Sequence, residues 1–135
     1  MIRIPSLLIT DDDSGFRETL RGIFEPQGFR TLVASDGEEA LQILSGDDVQ
    51  LILLDMHMPR LSGLETLRRI KQSNWSLPCI LMSADLDDGL IRQARLADAF
   101  SVLAKPVSRI TITSTVQQAM ERTYAGRYCA NIRNE

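Results

Sequence analysis

Four places in this chain carry groups that could do chemistry together: the run Asp11-Asp12-Asp13, then Asp55, Ser83 and Lys105. Each alone is ordinary. Consecutive aspartates ahead of a helix usually cap it or make a turn, and a lone acid after an apolar run more often caps than attacks. Ser83 alone reads as loop chemistry and Lys105 alone as a solvated charge. Together they say more, because every one follows an apolar run that ends in turn signals. Carboxylates crowded into one pocket repel, and their desolvation is costly unless a cation compensates. Oxygen ligands of this kind suit Mg²⁺, which takes one or two carboxylates plus a substrate phosphate and keeps several waters. Mg²⁺ there would neutralise charge on an incoming phosphoryl group and orient it for in-line attack. Lys105 adds a point charge on the opposite side, and Ser83 can donate to a phosphoryl oxygen. Asp55 reads as the nucleophile, with an aspartyl phosphate as product.

The elements that must position these groups follow from the apolar pattern. Leu51-Ile52-Leu53-Leu54 runs without alternation into Asp55, and Met58-Pro59 and Ser62-Gly63 follow. Such a run suits a strand buried on both faces; a short buried helix would look similar, and the loop that follows decides for a third strand over 49–54. Ser6–Thr10 is a first strand of the same kind. Phe16, Leu20, Ile23 and Phe24 then form one helical stripe, capped by Ser14 or Asp13 and closed at Pro26 and Gly28. A second strand, 29–34, alternates moderately and belongs nearer an edge. Ser35-Asp36-Gly37 opens a short helix bearing Ala40, Leu41 and Leu44, stopped at Ser45-Gly46. A third helix carries Leu64, Leu67 and Ile70, with Arg68, Arg69 and Lys71 on its wet side. Pro78 starts a fourth strand, 79–82, as a first residue tolerates proline. Asp87 or Asp88 caps a fourth helix bearing Leu90, Ile91, Ala94 and Ala97. The fifth strand, 100–104, closes at Lys105-Pro106. Ser108 caps a last helix with Ile112, Val116, Ala119 and Met120 on one face, although Thr111–Thr115 has poor helix propensity.

Strand and helix thus alternate five times with short connections, which argues an α/β fold with a parallel sheet covered by helices on both faces. Such sheets place their chemistry at the carboxyl ends of the strands, where all four sites fall. The chain has 135 residues, enough for one domain with a real core, and 44% apolar and 24% charged residues are ordinary for a soluble protein. A net charge of -3 gives no sign of a nucleic-acid or membrane surface. No apolar run approaches the roughly 20 residues of a membrane span. Met1–Pro5 lacks the pattern of a secretory signal, so a cytoplasmic location is expected. Cys79 and Cys129 do not make a disulfide framework, and Cys79 reads as a small buried hydrophobe. The polar stretch 126–135 is expected to be a frayed tail or the start of a linker, leaving 1–125 as the domain.

Leu8-Ile9-Thr10-Asp11-Asp12-Asp13, Leu54-Asp55-Met56-His57-Met58-Pro59 with Ser62-Gly63, Ser83-Ala84, and Leu103-Ala104-Lys105-Pro106 resemble the receiver domain of two-component response regulators. The likeness runs over about residues 5–123. It implies a flavodoxin-like (βα)5 three-layer sandwich with strand order 2-1-3-4-5, the order known for the chemotaxis receiver. It also implies that Asp55 takes a phosphoryl group from a histidine kinase or a histidine phosphotransfer protein. Asp12 and Asp55 would hold Mg²⁺ directly (Mn²⁺ being able to substitute), Asp11 through water, and His57 through its backbone carbonyl. Ser83 fits the family's Ser/Thr switch and Lys105 its lysine contact. The face of the fourth helix, fifth strand and fifth helix would pass the signal to a downstream protein or effector domain, or to a homodimer partner. The chain would catalyse only its own phosphorylation and dephosphorylation.

Two positions depart from the family pattern. The usual aromatic switch residue, three before the lysine, is Val102, and Phe100 is in the wrong phase on the strand to replace it simply. The loop before the fifth strand commonly reads Gly-Ala and is Asp98-Ala99 here, which questions the tight backbone at that point. His57 is not expected to bind metal through its imidazole, since Mg²⁺ prefers oxygen; with Asp85 it could shape the pocket rim and tune the phosphoryl lifetime. Three other readings compete. A Mg²⁺ phosphohydrolase of the aspartyl-phosphate type wants a second Asp where His57 stands. A flavin carrier would not place three aspartates beside a phosphate. A receiver-like interaction module that ignores phosphate is opposed by the retained acids and Lys105. No recognisable DNA-binding or catalytic effector lies within these residues, so a stand-alone receiver and a piece of a longer protein both fit.

Overall fold

The computed structural model describes residues 3–128. Five strands, β1 (Ser6–Thr10), β2 (Arg30–Ala34), β3 (Leu51–Asp55), β4 (Cys79–Ser83) and β5 (Ser101–Ala104), alternate with α1 (Ser14–Phe24), α2 (Gly37–Gly46), α3 (Gly63–Ser73), α4 (Asp88–Leu96) and α5 (Arg109–Tyr124). A 3-10 turn, Glu25–Gln27, follows α1 and ends at Gly28 with φ 98°. Every pairing is parallel and the order is β2-β1-β3-β4-β5, as expected. The two partly exposed strands, β2 and β5, lie at the edges.

The absence of alternation in β1, β3 and β4 has a direct cause: each buries both faces. Leu7, Ile9, Leu51, Leu53, Ile80, Met82 and Leu103 pack under α1 and α5. Leu8, Ile52, Leu54, Cys79 and Leu81 pack under α2, α3 and α4. Burying a Leu or Ile side chain contributes about 2 kcal/mol, so these central strands hold the layers together. The Cys79 thiol is buried and pushed up to about 12, which leaves it a hydrophobe at neutral pH.

The structure differs from the sequence reading in particular places. β3 and β4 each run one residue further, so Asp55 and Ser83 are the last residues of their strands, paired with Met82 and Ala104. β2, β3 and β5 begin one or two residues later than expected; Gln50, just ahead of β3, donates its backbone amide to the Ser6 carbonyl at 2.9 Å and accepts from the Ser6 amide with its side chain at 2.6 Å. Asp13, not Ser14, caps α1, and Asp87, not Asp88, caps α4. Lys71 is not on the wet side of α3: its ammonium turns inward and donates to the carbonyls of Trp75 and Leu77, tying down the α3–β4 loop. α5 forms over 16 residues despite its threonines. Thr113 and Thr115 return their hydroxyls to the carbonyls of Arg109 and Thr111, both at 2.8 Å, while Ile112, Val116, Ala119 and Met120 bury the opposite demand, so packing outweighs propensity. After α5, Tyr128 stacks edge-on against Tyr124 and accepts from Arg3 at 2.7 Å. Residues 129–135, with Cys129, lie outside the described residues.

Asp98 resolves the departure in the loop before β5. It adopts φ 65° in the left-handed region, the Ala99 amide reaches back to the Ala94 carbonyl, and the Asp98 amide to that of Arg95. That is the helix-ending double bond glycine usually makes, and aspartate is among the few side chains that tolerate it. The tight backbone is therefore kept.

Candidate functional site

Strand alternation aims three of the four chemical groups at one point. Ile9, Leu53 and Leu103 face the α1/α5 layer, and two residues further along stand Asp11, Asp55 and Lys105. The Lys105 Nζ lies 2.7 Å from Asp11 Oδ2 and 3.1 Å from Asp55 Oδ1. Asp11 is fully buried and Asp55 nearly so. Lys105 thus sits against both acids instead of across the pocket from them, because two desolvated carboxylates draw in its ammonium. Its Lys105-Pro106 peptide bond is cis.

The three consecutive aspartates divide their work. Asp13 accepts from the Gly15 and Phe16 amides and starts α1. Asp11 accepts from the Asp13 amide at 2.9 Å, and Arg17 donates to the Asp11 carbonyl at 2.7 Å. Asp12 is exposed. One carboxylate oxygen from each of Asp11, Asp12 and Asp55 lies within 4.8 Å of the others. The three carboxylates outnumber the cations beside them, Lys105 and Arg17, and an all-oxygen donor set suits a hard divalent cation.

Burial holds the Asp55 carboxyl above the usual aspartate range, and Asp11 pushes the same way; Lys105 and the His57 amide oppose without cancelling it. Burial alone would lower Lys105, yet its hydrogen bonds to Asp11 and Asp55 outweigh that and raise it. The ammonium is therefore firmly charged at neutral pH.

Ser83 stands on the other side of Asp55. Its hydroxyl accepts from the Asp85 amide at 3.1 Å and lies 3.4 Å from His57 Nε2, which is 3.6 Å from Asp85 Oδ2. His57 and Asp85 form an exposed rim over the buried Ser83 hydroxyl. Val102 packs beside α4 and lines a groove of about 260 Å³ with Ile91, Arg95 and Phe100. Phe100 packs into the opposite layer, so it does not stand in for an aromatic at 102. The reason is not strand phase, since two positions apart on a strand share a face; Phe100 precedes β5 and lies in the turn.

A backbone fit closes the pocket floor. The Gly63 amide donates to the Met56 carbonyl at 2.9 Å, and a side chain at Gly63 would overlap the Asp55 carbonyl. The loop between them has Arg60 at φ 68°, held by an ion pair to Asp36 at 2.6 Å. Asp36 also caps α2 through the Glu39 amide, and that bond, then Arg60, lowers its pKa.

Comparison with known proteins decides the kinship. The profile of the Response regulator receiver domain matches residues 7–117. The chain belongs to the response regulator receiver family. The receiver is 32% identical over 112 residues to Sporulation initiation phosphotransferase F of Bacillus subtilis, covering 83% of this chain and 90% of that protein. It is 34% identical over 118 residues to Response regulator MprA of Mycolicibacterium vanbaalenii, covering 87% of this chain but 51% of that protein, about half its length. The signal receiver domain of an HD domain-containing protein from Pseudomonas fluorescens Pf-5 superposes with a TM-score of 0.87 at 28% identity, covering 91% of this chain and 99% of the other. A phosphoacceptor signalling role follows for this receiver, as the family shares it. No helix among the described residues is long and apolar enough to cross a membrane.

Phe16, Arg17, Arg60 and Asp36 are site neighbours the sequence did not single out. Phe16 read as one member of a core stripe, and nothing in its spacing links it to Lys105. Arg60, a long side chain where the backbone turns left-handed, gains meaning only once Asp36 is seen beside it.

Proposed function

We propose that this receiver accepts a phosphoryl group on Asp55 from a phosphohistidine of a histidine kinase or histidine phosphotransfer protein. The observation that carries the reading is a buried, strand-end carboxylate gripped by one lysine, with two further acids within 4.8 Å. Asp12 and Asp55 would hold Mg²⁺ directly, the His57 carbonyl would complete the protein ligands, and Asp11 would act through water. When bound, the ion supplies charge neutralisation for the phosphoryl oxygens.

The chain's own groups account for the rest. An Asp55 carboxylate oxygen attacks phosphorus, the bond from phosphorus to the donor's imidazole nitrogen breaks, and the electron pair leaves with the imidazole. Desolvation of Asp55 strips water from the nucleophile before attack. Lys105 follows the charge: once Asp55 is esterified, the ammonium meets a phosphoryl oxygen instead of a carboxylate. Ser83 donates its hydroxyl proton to a phosphoryl oxygen, while its oxygen stays free to accept from the Asp85 amide. His57 and Asp85 stand where water must pass to reach the acyl phosphate, and so set its lifetime. Readout does not run through an aromatic at 102, and the α4-β5-α5 face, homodimeric or docked to an effector, carries the output. The domain spans 1–125, works in the cytoplasm and turns over no substrate beyond its own phosphate.

The test is intact mass after treatment with acetyl phosphate and Mg²⁺. Wild type gains about one phosphoryl group per chain and Asp55→Asn gains none. Equal uptake by both, or none by wild type, sinks the assignment.

A further inference from the structure

We propose that Phe16 is a positioning residue for Lys105, holding its ammonium by a cation–π contact at the place from which it meets the phosphoryl group. The inference rests on the phosphoacceptor reading above and goes beyond it. Lys105 Nζ lies 4.4 Å from the centroid of the Phe16 ring, well inside the roughly 6 Å range of such contacts. The Lys105 side chain is only 19% exposed, and partial drying strengthens the attraction.

The need for such a contact follows from the reaction. A lysine ammonium is a point charge on a flexible stem, so its neighbours must place it. Two of them, Asp11 and Asp55, hold it at 2.7 and 3.1 Å. Asp55 loses its carboxylate charge when it is esterified, and Asp11 also faces the acidic cluster. The ring face of Phe16 is the partner whose charge does not change. Phe16 is itself well fixed: Asp13 accepts from its amide at 3.3 Å, and the Asp13 amide donates to Asp11 at 2.9 Å. The turn that carries the ring is thus tied to the same acid that grips the lysine. Phe16 also packs against the α1/α5 core, which sets the ring's tilt.

The test compares Phe16→Leu, which keeps apolar bulk without a ring, with Phe16→Tyr, which keeps the ring, each with and without Lys105→Ala. The readouts are the rate of phosphorylation by phosphoramidate at saturating Mg²⁺, affinity for beryllofluoride with Mg²⁺ as a phosphoryl mimic, and the NMR shift of the Lys105 ε-methylene protons. Phe16→Leu should slow phosphorylation and weaken beryllofluoride binding about three- to tenfold, with Phe16→Tyr within about twofold of wild type. The Leu effect should vanish when Lys105 is already Ala, as coupling through that side chain demands. The ε-methylene resonances should be ring-shifted upfield in wild type and Phe16→Tyr, and not in Phe16→Leu. Equal slowing with and without Lys105, which a merely structural Phe16 would give, overturns the proposal; so does an absence of slowing, or of the ring shift. If wild type takes up no phosphate and no beryllofluoride, the phosphoacceptor reading fails and this role fails with it, while the ring shift still decides whether the contact exists.

Discussion

The same methyl group added at two glycines should move stability in opposite directions, and the structure says by how much. At Gly63 a Cβ would overlap the carbonyl oxygen of Asp55 and stand 2.9 Å from both its carbonyl carbon and Leu81 Cδ1. Those backbone atoms end a strand buried on both faces, so nothing there swings aside; α3 must back away from β3 by half an ångström or more. Overpacking of this kind costs about 1–3 kcal/mol, and a backbone obstacle belongs at the upper end. For a chain of this size that lowers Tm by roughly 10 °C. At Gly22, exposed on α1, nothing lies within 4 Å of the new atom. There Gly22→Ala only removes glycine's entropic penalty in a helix, a gain of about 0.5–1 kcal/mol. Urea and thermal unfolding of both variants measure the pair. Because the displaced carbonyl belongs to Asp55, the folded fraction of Gly63→Ala should also accept phosphate about ten- to a hundredfold more slowly. A Gly63→Ala chain within about 0.5 kcal/mol of wild type, phosphorylated normally, would refute this reasoning.

Other expectations follow from single residues. Asp98→Ala should cost about 1 kcal/mol through its left-handed backbone, while Asp98→Gly should be at least as stable as wild type; urea midpoints in the reverse order would contradict the assignment. Asp36→Ala should cost about 1–2 kcal/mol by losing both a helix cap and the Arg60 pair, and Asp36→Ser should recover the cap's share, about 1 kcal/mol. The raised Asp55 pKa gives a pH dependence with a definite sign. A proton held more tightly in the folded chain adds stability below the unfolded aspartate range, about pH 4, and that contribution is lost as pH rises through the raised folded value. In cation-free buffer, the unfolding free energy of wild type minus that of Asp55→Asn should therefore fall as pH rises from about 4; a flat or rising difference argues against desolvation at Asp55. Mg²⁺ at ten times its Kd should then return about 1.4 kcal/mol to wild type, with Asp55→Asn gaining much less.

Much of the architecture could be read from the chain because parallel strands covered on both sides leave a blunt signal. Runs such as Leu51–Leu54 admit few other homes, and the residue types at their ends stand out. Alternation then carries Ile9 to Asp11, Leu53 to Asp55 and Leu103 to Lys105 onto one face, so this convergence was implicit in the residue order. Side-chain direction between elements was not. Consecutive aspartates look alike in sequence, yet one is buried against Lys105, one exposed and one a helix cap. Lys71 looked like a surface charge because helix spacing cannot show a loop folding over an ammonium. Phe16 looked like core because periodicity does not report what lies above a ring. Left-handed Arg60 was illegible for a related reason, since its side chain does not announce a positive φ as glycine would; Asp98 stood out only through the glycine that the resemblance led one to expect there.

Chemical trapping tests the central claim most directly. Wild-type protein would be phosphorylated with acetyl phosphate and Mg²⁺, reduced with borohydride, and mapped by peptide mass spectrometry, since reduction converts an acyl-phosphorylated aspartate to homoserine. The account predicts homoserine at position 55 and at no other aspartate. Homoserine at Asp11 or Asp12 instead, or an unreduced Asp55 in a chain that has taken up phosphate, would contradict it.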